Sequence, residues 1–241
     1  MGLDADMIPL LTALIIGLAA AGIFALRPVI AKIKTVFNQN SVVDYQIKFQ
    51  SLQLVLAAIV LLLTYFLNPE NFARFFRMGD IDAHISKIAW LGVTGNETWL
   101  EIASSIGVFI TLGTGIFMFF QLKKAGVDYR HFVFSLLWSI PFSAANAFSE
   151  EAIFRIGIVS PLYGIFSVAV IVLISGVVFG VPHYFGMPKG IVGVLMAGFL
   201  GWLLAMSLVE SQGLFIAWTI HFAQDVVIIT SMILMGSKTN E

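Results

Sequence analysis

Seven apolar windows of about 20 residues dominate this chain. Five of them contain no charged residue, one contains a single charged residue, and one contains three. Roughly 20 mainly apolar residues are enough to cross a bilayer as a helix. Inside lipid the backbone must satisfy its own hydrogen bonds, which leaves helices or closed barrels. The windows are residues 8–26, 49–67, 102–122, 132–155, 163–183, 190–209 and 213–235. Their length predicts an all-α, polytopic membrane helix bundle.

The composition excludes several classes of site. The chain has no cysteine, which excludes disulfides, thiolate metal sites and thiol nucleophiles. Its formal net charge is −1, and no basic run is present. We therefore expect the lipid bilayer as a partner and no nucleic acid.

Basic residues are unevenly divided between the two sides of the predicted bundle. The richer side carries Arg27, Lys32, Lys34, Lys48, Lys123, Lys124, Arg130, Lys189 and Lys238. The other side carries Arg74, Arg77 and Lys87. Because short cytoplasmic loops are enriched in Lys and Arg, we expect the N-terminus outside and the C-terminus inside.

Two connections between the windows are long, residues 27–48 and 68–101, but neither is large enough for a separate soluble domain. The second mixes Phe72, Phe75 and Phe76 with charged residues. This pattern is typical of a helix lying in the membrane interface, and it equally fits a solvated loop.

Four charged residues lie inside the windows: Glu150, Glu151, Arg155 and Asp225. One such side chain near the bilayer centre costs about 2.5–3.5 kcal/mol on insertion scales, so the four together cost about 10 kcal/mol before pairing. Charges that are this unfavourable indicate a function.

Helical spacing separates the roles of these charges. Glu151 and Arg155 are four residues apart, so they share a face and can form an ion pair. Glu150 points about 100° away and has no cation within reach on its own helix. It is therefore a candidate general base. The alternative is a structural polar cluster that holds helices together.

Two later stretches add imidazoles. His183 follows Phe179 by four residues in "FGVPH", where Pro182 loosens the preceding turn. His221 and Asp225 share one face of the last window in "HFAQD". Three helices thus supply an unpaired carboxylate, two imidazoles and a second carboxylate.

The ordered motifs E-E-x-x-x-R, F-x-x-x-H and H-x-x-x-(N or D) resemble those of the CAAX-processing and bacteriocin-immunity family (CPBP, or ABI) of intramembrane glutamic proteases. The resemblance covers residues 132–235 as a catalytic membrane core, preceded by N-terminal spans in residues 1–131. It implies a bundle around a central, conical active-site cavity. It also implies an endopeptidase that cleaves a membrane protein or peptide, and a location in a prokaryotic cytoplasmic membrane.

The resemblance also implies residue roles. Glu150 and His183 would activate water, while His221 and Asp225 would stabilise the oxyanion. Supporting roles would fall to Glu151, Arg155 and Phe179, with no cofactor and no obligatory metal. Many relatives carry asparagine at the position of Asp225, and a carboxyl group can donate to an oxyanion only when protonated.

Several alternatives stay open. A metal-dependent protease could use Glu150, His183, His221 and Asp225 as ligands. Intramembrane acids and imidazoles also build proton-coupled transporters, and a non-catalytic immunity or binding protein could keep the same fold. Residue counting places Glu150 deeper than His183, so we expect the fourth helix to break near Pro141; misplaced window boundaries are the other explanation.

Overall fold

Among the residues that the structure describes, seven helices are long and apolar enough to cross a membrane. The computed structural model describes residues 7–33, 37–38, 40–186 and 188–237. The helices, called here the first to seventh spans, are Met7–Ile30, Ser41–Leu67, Trp99–Ala125, Tyr129–Leu162, Val168–Phe185, Ile191–Ser211 and Phe215–Gly236. Over the described ranges the predicted all-α, seven-span bundle is confirmed. The predicted orientation stays a prediction, and two residues behind it, Lys34 and Lys238, lie outside the described residues.

Several spans are built from more than one kind of helix. The first joins Met7–Ala25 to the short helix Arg27–Ile30, and the fifth joins Val168–Gly180 to a 3-10 turn at Val181–Phe185. The third runs through Trp99–Ile102, a π-helical segment at Ala103–Gly107, and Val108–Ala125. Single helices form the second, sixth and seventh spans, as Ser41–Leu67, Ile191–Ser211 and Phe215–Ser237.

The fourth span does not break at Pro141, so that prediction is wrong. A 3-10 turn at Tyr129–His131 leads into an α-helix that runs unbroken from Phe132 to Glu151. Membrane helices tolerate proline where nearby polar groups satisfy the backbone. The carbonyl that loses its amide donor at Pro141 is that of Leu137. The Ser139 hydroxyl donates to the neighbouring carbonyl of Leu136 at 2.8 Å.

The irregular part of the fourth span follows the two glutamates. Residues Ala152–Ile156 are π-helical, and an α-helix continues through Gly157–Leu162. The span therefore ends at Leu162 and not at residue 155. The predicted boundary of the fourth window is therefore misplaced at its C-terminal end. Such a misplacement is the second explanation for the different predicted depths of Glu150 and His183. Ser175 of the fifth span donates to the Phe154 carbonyl at 2.9 Å and fastens this segment to its neighbour.

Glycines allow the fifth and sixth spans to touch backbone to backbone. A Cβ atom on Gly176 would lie 2.9 Å from the Gly198 carbonyl oxygen, and one on Gly180 would lie 2.7 Å from that of Val194. Small residues permit such contacts where lipid provides no hydrophobic drive between helices. At Gly201 the absent side chain leaves room for the ring of Phe179, whose Cδ1 would lie 2.8 Å from a Cβ.

One hydrophobic core joins the N-terminal spans to the later ones. It contains Ile16 of the first span and Val60 of the second, together with Phe154, Phe179 and Ile220. The first two spans therefore contribute directly to the environment of the fourth and fifth. The division of the chain at residues 131 and 132 stays a prediction.

The connection at residues 68–101 is a folded cap and neither a single interfacial helix nor a solvated loop. It contains a helix at Pro69–Phe75 and a 3-10 turn at Ala89–Leu91. Phe75 is fully buried in the core. The indole of Trp99, just beyond the cap's last turn, donates to Glu210 at 3.1 Å, and the Asp80 amide donates to the Ser211 carbonyl at 2.7 Å. The cap is thus fixed to the end of the sixth span.

Candidate active site

The ion pair predicted from the four-residue spacing is present in the fourth span. Arg155 Nε lies 3.0 Å from Glu151 Oε2, and neither side chain has any solvent exposure. The guanidinium carbon lies 4.4 Å from the centroid of the Phe179 ring. Among the described residues, Arg155 Nη1 and Nη2 have no hydrogen-bond partner. The carboxylate of Glu151 is thus the counterion on which this buried cation depends.

Glu151 also contacts the seventh span. Its Oε1 lies 2.8 Å from Nδ1 of His221. A carboxylate oxygen accepts, so His221 Nδ1 carries the hydrogen and donates it. Arg155, Glu151 and His221 therefore form a continuous buried chain, and Glu151 fixes the orientation of the imidazole.

The other ring nitrogen of His221 faces two carboxyl groups. Nε2 lies 3.6 Å from Glu150 Oε2 and 3.6 Å from Asp225 Oδ2. Both distances exceed that of a good hydrogen bond. Catalytic hydrogen bonds are often this long before substrate binds. We call Glu150, Glu151, Arg155, His221 and Asp225 the charged cluster.

Glu150 has one anchored oxygen and one free oxygen. Its Oε1 accepts a hydrogen bond from Gln53 Nε2 of the second span at 3.2 Å. Its Oε2, the oxygen beside His221, is buried and has no hydrogen-bond partner in the described part of the chain. A carboxylate that is held by one oxygen and open at the other suits a general base.

A row of amides supports the charged cluster from the second span. Gln50 Nε2 donates to Gln46 Oε1 at 3.1 Å and to Asn146 Oδ1 at 2.9 Å. Asn146 Nδ2 in turn donates to Asp225 Oδ2 at 2.9 Å. We call Gln46, Gln50, Gln53 and Asn146 the amide ladder.

Sequence reasoning missed the amide ladder. Its three glutamines are spaced four and three residues apart, which places them on one helical face, and all three are buried. This spacing inside an apolar window is the signal that could have found them. The predicted window began at residue 49, however, whereas the second span begins at Ser41.

His183 lies in the 3-10 turn that ends the fifth span. Its Nδ1 is 2.8 Å from the Phe179 carbonyl oxygen. Because a carbonyl only accepts, Nδ1 carries the hydrogen and the lone pair of Nε2 stays open. In the described structure His183 makes no hydrogen bond or ion pair with Glu150. The expected direct pairing of these two residues is therefore not seen.

Phe179 lies between the two imidazoles. Its ring centroid is 4.8 Å from that of His183 and 5.6 Å from that of His221. The same ring covers the guanidinium of Arg155. One aromatic side chain thus positions three polar groups of the site.

A cavity of about 120 Å³ opens beside these groups, between the third, fifth, sixth and seventh spans. Its wall includes His183, His221, Gln224 and Asp225. The cavity is large and polar enough to hold water. Glu150 is 2% exposed and approaches this wall at His221.

In the described residues, no three His, Cys, Asp or Glu side chains are arranged to hold a metal ion. A metal-dependent reaction at Glu150, His183, His221 and Asp225 would therefore need these side chains to rearrange.

Residues 132–227 match the family model described as type II CAAX prenyl endopeptidase Rce1-like. The matched segment covers 96 of the 241 residues and is similar to the Rce1-like CAAX proteases. The match contains the whole charged cluster together with Phe179 and His183, so the family resemblance seen in the motifs is confirmed. At the family level, the Rce1-like segment is that of a membrane protease. No curated protein and no solved structure matches the chain.

Proposed function

We propose that the chain is an intramembrane endopeptidase that cleaves a membrane-proximal peptide bond in a protein or peptide substrate. The family match supports a membrane protease. The observation that carries the proposal is the free oxygen of Glu150, which is buried beside His221 at the edge of a cavity whose wall carries His183, His221 and Asp225. Such an arrangement provides a base, a proton-bearing imidazole and space for water.

In the proposed reaction, Glu150 Oε2 accepts one proton from water. The open Nε2 of His183 accepts a hydrogen bond from the remaining O–H, whose hydrogen stays on the water oxygen. The water oxygen bonds to the carbonyl carbon of the substrate, and the carbonyl oxygen becomes an oxyanion. Glu150 then gives its proton to the departing amine as the C–N bond breaks. These reaction steps leave a free carboxyl terminus and a new amino terminus, with all protons accounted for.

His221 is the proposed stabiliser of the oxyanion. Its Nδ1–H is donated to Glu151, so Nε2 bears a hydrogen only in the imidazolium form. The carboxylates of Glu150 and Asp225, each 3.6 Å from Nε2, balance that charge. A donor placed where negative charge develops is among the largest contributions to catalysis.

Asp225 acts in this scheme through His221. Its Oδ2 accepts from Asn146 and faces the imidazole, which is the behaviour of a carboxylate and not of a donor. Asp225 would therefore stabilise the imidazolium, while Glu151 and Arg155 hold the ring in place. Phe179 would support both imidazoles.

The test compares membranes from cells that produce the wild-type protein or Glu150→Gln, by quantitative terminal-peptide mass spectrometry. Glu70→Gln is the matched control, because Glu70 is exposed on the short helix Pro69–Phe75 and undergoes the same chemical change. We expect new termini with the wild type and the control but not with Glu150→Gln, at equal protein levels. Identical termini in all three samples would contradict the protease and favour a transporter or a non-catalytic binding protein.

Metal dependence is checked on the purified protein with a peptide that spans one of the new termini. We expect cleavage to continue in the presence of a chelator. Loss of cleavage on chelation, restored by added metal, would replace this mechanism with the metal-dependent alternative.

A further inference from the structure

Gln224 holds an unused hydrogen-bond donor in the wall of the cavity. Its side chain is 5% exposed and lines the cavity together with His183 and His221. In the described part of the chain, its Nε2 has no hydrogen-bond partner. A buried donor that is left unsatisfied costs about 1–3 kcal/mol, so it requires an explanation.

A hydrogen bond from Thr114 of the third span shows which atom of the Gln224 amide has no partner. Its hydroxyl donates to Gln224 Oε1 at 2.8 Å. This hydrogen bond occupies the carbonyl end, so the free end of the amide is the NH₂ group. Thr114 also lines the cavity, which places both partners at the same wall.

Helical geometry brings this donor next to His221. The two residues are three apart on the seventh span and are therefore neighbours on one face. Asp225 lies beside them, but its Oδ2 is already committed to accepting from Asn146. In the proposed mechanism His221 supplies one donor at this wall, and the unpaired Nε2 of Gln224 is a second donor beside it.

We propose that Gln224 donates a hydrogen bond to the carbonyl oxygen of the scissile peptide bond and to the oxyanion that forms from it. This inference rests on the proposed protease function. Gln224 takes the position of the second oxyanion donor, and its NH₂ group is unpaired because the substrate oxygen is its partner.

The test uses purified full-length protein in lipid and a quenched-fluorescent peptide that spans a cleavage site found in the terminal-peptide comparison. Gln224→Met keeps the length of the side chain but removes the donor. We expect kcat to fall by roughly 10²–10³-fold, as for loss of one oxyanion donor, while KM changes little. The matched control is Thr111→Val, because within the described ranges the Thr111 hydroxyl bonds only to the Gly107 carbonyl of its own helix.

Thermal unfolding separates catalysis from structure. Gln224→Met also removes the oxygen that accepts from Thr114, so its unfolding temperature should match that of Thr114→Val, which loses the same hydrogen bond but keeps the Nε2 donor. If the variant loses folded protein in proportion to activity, Gln224 has a structural role and the proposal is overturned.

A second variant tests whether a donor at the neighbouring position can substitute. With Asp225→Asn, the new side chain can turn its carbonyl oxygen to Asn146 and its NH₂ group to the cavity. Because this change also removes the carboxylate beside His221, Gln224→Met/Asp225→Asn is compared with Asp225→Asn alone. We expect Gln224→Met to lower kcat at least about tenfold less in that background than in the wild type, equivalent to about 1.4 kcal/mol. An equal loss in both backgrounds would contradict a shared donor role.

The two proposals fail in different ways. If Gln224→Met cleaves at the wild-type rate while Glu150→Gln is inactive, the inference about Gln224 is wrong and the protease mechanism stands. If Glu150→Gln cleaves at the wild-type rate, the proposed mechanism itself is wrong.

Discussion

The charged cluster and the amide ladder are two buried polar regions that meet at Glu150 and Asp225, yet they differ in kind. The cluster links the fourth and seventh spans through ionisable groups, including an ion pair with no exposure at all. The ladder links the second span to the fourth through neutral amides. The ladder donates a hydrogen bond to one oxygen of each carboxyl group that faces His221, through Gln53 to Glu150 and through Asn146 to Asp225.

The two regions differ in how strongly the protein depends on each of their members. Unpaired charges in a membrane are very unfavourable, so the members of the cluster depend strongly on one another. An amide needs only a hydrogen bond, and each one contributes a modest net amount. Changes in the cluster should therefore affect folding or abolish reaction, whereas changes in the ladder should reduce activity in steps.

The largest expected effect comes from Glu151→Gln, which leaves the buried guanidinium of Arg155 without its counterion. Breaking one partner of a buried pair costs about 3–5 kcal/mol. We expect little monodisperse protein after detergent extraction, measured by size-exclusion chromatography. Glu151→Gln/Arg155→Met removes both charges and should restore folded protein without restoring activity, because His221 loses the carboxylate at Nδ1. A wild-type yield for the single variant would contradict this account.

A smaller effect is expected where the two regions meet. Asn146→Leu removes the donor to Asp225 and the acceptor for Gln50. A hydrogen bond to a charged group contributes about 1.5–3 kcal/mol, so kcat/KM should fall roughly 10- to 150-fold. Peptide cleavage at matched amounts of folded protein measures this change. An unchanged rate would show that Asp225 does not depend on the ladder.

The smallest effect is expected within the ladder itself. Gln50→Met removes a neutral hydrogen bond to Asn146, and a loss of about 0.5–1.5 kcal/mol lowers kcat roughly 2- to 12-fold. Gln46→Met is the matched control, since Gln46 contacts only Gln50 among the ladder residues and should stay within about twofold of wild type. If both variants lower the melting temperature equally and leave kcat unchanged, the ladder only holds helices together.

The features that sequence predicts well are those with local signals. The seven spans follow from runs of apolar residues, and the Glu151–Arg155 pair follows from helical spacing. The three motifs led to the family that residues 132–227 match. Each of these signals lies within one span or in the order of the motifs.

The features that sequence did not predict depend on tertiary contacts or on weak signals. Glu151 and His221 are 70 residues apart, and only the packed bundle brings Oε1 and Nδ1 to 2.8 Å. Glutamine is unfavourable in lipid but far less so than a charge, so the ladder did not stand out. The π-helical segment after the glutamates is bonded to Ser175 of the fifth span, a contact that no local pattern in the sequence indicates.

The fourth span is 34 residues long. At about 1.5 Å per residue it extends about 51 Å, well beyond the roughly 30 Å of a hydrocarbon core. Such hydrophobic mismatch is relieved by tilt or by local thickening of the bilayer. Glu150 lies only about 18 Å from the Leu162 end of this helix. A change in acyl-chain length therefore changes either the tilt of this span or the depth of Glu150 in the bilayer.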